Sequence, residues 1–74
     1  MPKLPCLSGR AAIRVFAKLG FTIARQRGSH VVLRRAGNGC VIPLHRELAH
    51  GTLRNAIHQA NLSEQQFLSA WRDV

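Results

Sequence analysis

Two apolar runs, Phe21 to Ala24 and Val31 to Leu33, stand on either side of a Gly28-Ser29 pair, with arginines at 25, 27, 34 and 35 around them. Few backbones suit that pattern. Glycine at the first loop position tolerates the positive φ of a type II′ turn and serine suits the second, so the spacing predicts a tight hairpin over 21–35. His30 opens its second strand. Period-2 alternation places Val31 and Leu33 on the face that meets a core, and His30, Val32 and Arg34 on the other. The imidazole is thus expected at the edge of a sheet, on the side of Arg34, with four arginines nearby. Histidine changes charge near neutral pH, and arginine forks match phosphate geometry, so the hairpin suits proton transfer beside a bound phosphate.

The flanking segments complete a small α+β plan. Leu4-Pro5-Cys6-Leu7 is an extended lead-in, since proline disfavours helix in the residue before it. Ser8 is an N-cap for a helix from Gly9 to Leu19, with Gly20 as its C′ glycine. Ile13, Phe16 and Ala17, with Ala12 and Leu19 at the margins, are its expected apolar stripe. Arg10, Arg14 and Lys18 recur every fourth residue on another face with no acid alternating among them, which favours a phosphate-facing stripe. Ala36-Gly37-Asn38-Gly39 is a turn cluster in which Asn and two glycines supply left-handed conformations. Cys40 to Leu44 is a third strand, at an edge or ending at Pro43.

A second helix lies within Gly51 to Ala60, with Thr52 as N-cap and Leu53, Ala56, Ile57 and Ala60 as its core stripe. Ser63-Glu64-Gln65-Gln66 is a capping box for a short C-terminal helix whose apolar side is Phe67, Leu68 and Trp71. Helix, three antiparallel strands, helix and short helix predict a two-layer sandwich, as one domain over residues 1–74.

Charge narrows the function. Eleven Lys and Arg against three Asp and Glu give a formal +8, and residues 1–46 contain no acid at all. An uncompensated basic half repels itself, which favours a polyanionic partner, nucleic acid first. No stretch approaches the ~20 apolar residues of a membrane span and residues 1–5 have no apolar leader core, so a cytoplasmic protein without membrane contact is expected. Cys6 and Cys40 are isolated, expected as reduced, partly buried thiols, and with the four histidines they show no metal-ligand spacing; neither metal nor cofactor is expected.

Leu7-Ser8-Gly9-Arg10, Leu19-Gly20-Phe21, Arg27-Gly28-Ser29-His30, Val41-Ile42-Pro43-Leu44-His45 and Gly51-Thr52-Leu53-Arg54, in this order, resemble the HicA family of toxins over nearly the whole chain. The resemblance implies a fold similar to the double-stranded-RNA-binding domain, an mRNA interferase activity and a HicB-type antitoxin partner. The family's functional histidine falls in its Gly-Ser-His motif, so the resemblance carries the catalytic role to His30.

Metal-free RNA cleavage needs a base for the 2′-OH proton, an acid for the leaving 5′-oxygen and positive charge near the phosphorane. His30 is the expected proton-transfer group and Arg25, Arg27, Arg34 and Arg35 are candidate phosphate clamps. Gly28 and Ser29 shape the turn, and the Ser29 hydroxyl can donate to a phosphate. His45 is a second acid/base candidate, against a plainer reading as the end of a strand. His50 and His58 are expected in solvent, and Trp71 and the three phenylalanines in the core rather than as base-stacking platforms. The rival readings are a non-catalytic RNA-binding module with the same basic surface and, without a helix-turn-helix to support it, a DNA-binding protein.

Overall fold

The computed structural model describes residues 3–74. The elements are α1 (Gly9–Lys18), β1 (Thr22–Arg27), β2 (His30–Arg35), β3 (Asn38–Pro43), α2 (His50–Gln59) and α3 (Glu64–Arg72). The strands make one antiparallel sheet in the order β1-β2-β3. α1 and α2 pack on the β3 side of the sheet and α3 packs against both helices. This is the expected α+β sandwich.

Local chemistry sets the helix ends. The Ser8 hydroxyl accepts from the Ala11 N–H at 3.1 Å, capping α1. At the other end Gly20 takes φ +93°, the Phe21 N–H donates to the Phe16 carbonyl and the Gly20 N–H to that of Ala17. That Schellman closure brings Phe21 edge-on to Phe16, ring centroids 5.5 Å apart. Phe67 of α3 meets the same Phe16 ring at 5.2 Å, so the fully buried Phe16 ties α1 both to α3 and to the residue that leads into β1. α3 carries the full capping box, with Ser63 and Gln66 each bonding the other's backbone N–H.

Four details differ from expectation. The buried side of α1 is Gly9, Ala12, Val15 and Phe16, with Ala17 exposed, because the tightest packing lies one position round the helix from the Ile13-centred stripe. α2 starts from Ala49 with no side-chain cap rather than from Thr52; buried Leu48, whose N–H donates to the Leu7 carbonyl at 2.7 Å, fixes the chain's entry before Thr52 is reached. The second turn is only Ala36-Gly37, with Ala36 itself at φ +53° and Asn38 already paired to Arg35. Trp71 is 38% exposed, and Ala70 occupies the buried position beside Leu68. Among the described residues no helix is long and apolar enough to cross a membrane.

Candidate functional site

The placement of the arginines depends on one extra residue in β1. Ile23 pairs with Leu33 and Arg25 with Val32, so Ala24 is a β-bulge. Strict alternation would put Ile23, Arg25 and Arg27 on one face. The bulge resets the pleat, leaving Ile23 and Gln26 on the helix side with Leu33 and Val31 and turning Arg25 and Arg27 to the open side. There they join His30, Val32 and Arg34, whose side is fixed by the burial of Val31 and Leu33 in the core. Arg25 and Arg34 border a shallow depression of about 280 Å³ over Val32. Val41, 41% exposed and paired with Val32, extends the same face.

His30 is exposed at the first position of the central strand, between Arg27 of β1 and Pro43 of β3. It therefore lies at an end of the sheet, not at its lateral edge. Gly28 takes φ +58° in the turn that precedes it, as a II′ first position requires. β3 is both an edge strand and one that ends at Pro43.

Backbone bonds gather three segments at this end. The Leu44 N–H donates to the Ser29 carbonyl at 2.7 Å, and the Gly9 N–H donates to the His45 carbonyl at 2.9 Å. A Cβ on Gly9 would collide with the Pro43 carbonyl. Absence of a side chain at position 9 thus lets the start of α1 dock on the end of β3, holding the hairpin turn, the exposed His45 and the first turn of α1 together. The sequence contained Gly9 in a motif, but nothing local to it announced the partner strand.

The remaining cations separate by position. Arg10, Arg14 and Lys18 are all exposed on α1. Arg10 and Arg14 border a cleft on the helix side of β1, while Lys18 borders a groove with α3. Arg35 lies at the far end of β2 on the helix side, where its guanidinium donates to the Leu19 carbonyl at 2.7 Å and sits 5.0 Å over the Phe21 ring. The structure therefore groups Arg25, Arg27 and Arg34 with His30 and holds Arg35 apart from them.

The other histidines sit elsewhere. His50 lies 3.7 Å from the Cys6 thiol, and His58 lies 3.7 Å from the Glu64 carboxylate, which also pairs with Arg54 at 3.3 Å. His50 and His58 are the first residue and the last-but-one residue of α2. Cys6 is exposed, contrary to the expectation of a partly buried thiol; Cys40 is buried, and burial pushes its thiol up to about 11. Among the described residues no three His, Cys, Asp or Glu side chains come together.

The family model described as the HicA toxin of bacterial toxin-antitoxin systems matches residues 9–62. That span runs from Gly9 at the α1–β3 junction past the last residue of α2. No curated protein and no solved structure matches the chain.

Proposed function

The chain belongs to the family of HicA toxins, and from that premise we propose that it is an mRNA interferase, an endoribonuclease that cuts RNA on the open face of its sheet with His30 as proton-transfer group. The observation that carries this reading is the open face as the Ala24 bulge leaves it, with exposed His30 at one end of β2, Arg27 directly opposite it, and Arg25 and Arg34 further along the same face.

The chemistry follows from that set. Guanidinium forks on the open face hold the phosphates on either side of the scissile bond, and Arg27, opposite His30, offers charge to the phosphorane as it forms. His30 takes the 2′-OH proton, the 2′-oxygen attacks the adjacent phosphorus, and the bond to the 5′-oxygen breaks. His45, exposed on the segment tied to Gly9, is the group for the leaving oxygen's proton. In this scheme the base, the acid and the positive charge all come from side chains, so cleavage should proceed in EDTA. With valines rather than aromatic rings on the open face, recognition rests on the backbone more than on base stacking.

As a toxin of a toxin–antitoxin pair the chain has a protein partner, of the HicB type on this reading, and it acts in the cytoplasm where its mRNA substrate lies. Incubating purified chain with end-labelled mRNA in EDTA tests the proposal. Discrete cleavage supports the interferase; salt-sensitive binding with intact RNA would replace it with a non-catalytic RNA-binding module.

A further inference from the structure

The second basic surface, on the other side of β1, has a different character from the open face. β1 is an edge strand exposed along its whole length, and its Ile23 side chain, on the helix side of the sheet, is 58% exposed. Ile13 of α1, Val31 of β2 and Leu44 line a cleft of about 240 Å³ with it, and Arg10, Arg14 and Gln26 supply its polar border. An aliphatic floor of this kind gives nothing to a sugar-phosphate chain, which binds through cations and base stacking. It suits an aliphatic side chain removed from water, and the two arginines suit carboxylates beside that side chain.

We propose that the cleft between α1 and β1 is the docking site for an acidic segment of the protein partner, one that seats an aliphatic side chain on Ile13, Ile23, Val31 and Leu44 and sets carboxylates against Arg10 and Arg14. The inference rests on the toxin–antitoxin reading for the existence of a partner, and on the cleft alone for its place and chemistry. It divides the basic surface in two: Arg25, Arg27 and Arg34 serve RNA on the open face, and Arg10 and Arg14 serve the partner behind β1. The two sites lie on opposite faces of β1 and β2, with Val31 in the cleft next in sequence to His30, so an occupant of the cleft reaches His30 from behind without needing to fill the open face.

The test is an amide chemical-shift titration of the isotope-labelled chain with three probes: a short peptide alternating leucine with glutamate, the same peptide with serine for leucine, and oligouridylate. The leucine peptide should shift Ile13, Ile23, Gln26 and Val31, and saturate at about tenfold lower concentration than the serine peptide. Ile23→Asp, at an exposed position, should weaken the leucine peptide about tenfold or more through repulsion of its carboxylates, and Ile23→Ser should weaken it by a smaller factor through loss of the aliphatic contact. RNA cleavage by both variants should stay within about twofold of the parent chain. Equal titration by the two peptides, shifts on Arg25, Val32 and Arg34 instead, tighter occupation of the cleft by oligouridylate, or no binding of the leucine peptide would each overturn the proposal. Because the readout is binding, its failure is distinct from failure of the interferase reading, which cleavage decides.

Discussion

Arg27 of β1 stands directly opposite His30 of β2 on the rung that closes the Gly28-Ser29 turn. Directly opposed residues of antiparallel strands have β-carbons about 5 Å apart, so a phosphate held by the one lies within reach of the other. Arg27→Ala should weaken RNA binding, lower the cleavage rate, and reduce the slope of log affinity against log salt by about 0.7, the loss of one phosphate contact on a single strand. Arg27→Lys should restore the salt slope but only part of the rate, since an ammonium cannot grip two oxygens as a fork does. Filter binding across a salt series, with parallel cleavage assays, measures both.

Arg34 and Arg35 are neighbours in sequence that face opposite sides of the sheet. Arg34→Ala should weaken RNA binding and leave thermal stability close to that of the parent chain. Arg35→Ala removes the bond to the Leu19 carbonyl and the contact with the Phe21 ring, and should cost about 1–2 kcal/mol of stability with little change in RNA affinity. Denaturant unfolding and RNA binding of the two variants make the comparison.

Gly9 touches the Pro43 carbonyl so closely that a methyl group has nowhere to go, and both sides of the contact are backbone. Gly9→Ala should therefore destabilise the fold by about 1–3 kcal/mol despite alanine's better helix propensity. At temperatures where the variant remains folded it should also cut RNA more slowly, because the same contact positions His45. The melting temperature and the rate at a low temperature separate the two effects.

The cysteines should differ in reactivity. Cys6 is exposed and Cys40 buried, with the Cys40 thiol pushed up to about 11 from 9.0 by desolvation. Alkylation at neutral pH should label Cys6 in the native protein and reach Cys40 only on unfolding. In the unfolded chain Cys40 ionises near 9.0, and in the folded chain only near 11, so its contribution to stability is complete below pH 9 and is lost as pH rises to about 11. Cys40→Val should flatten the fall in stability across that window.

Much of the site was legible because its signals are local. The Gly28-Ser29 turn, the Ser8 cap, the Gly20 closure and the Ser63 box each depend on residues within one turn of one another, and alternation along β2 was enough to place His30 opposite the core. What escaped depends on partners distant in sequence. The Ala24 bulge is visible only in the pairing with Leu33 and Val32, yet it decides the face of Arg25 and Arg27. Thr52 had the chemistry of a cap, but the Leu48–Leu7 bond started α2 earlier. Nothing local in the sequence showed that the Arg35 guanidinium would lie against the Leu19 carbonyl and the Phe21 ring, in the segment that follows α1. Trp71 was expected inside from its apolar character alone, and the small Ala70 holds the buried position.

Proton transfer by His30 is the step on which the proposed RNA cleavage stands. It is tested most directly by His30→Ala, with end-labelled mRNA, EDTA throughout, and RNA binding measured on the same preparation. Cleavage should slow by about 10²–10⁴-fold, with binding within a few-fold of the parent chain. Cleavage at the parent rate by His30→Ala would contradict it.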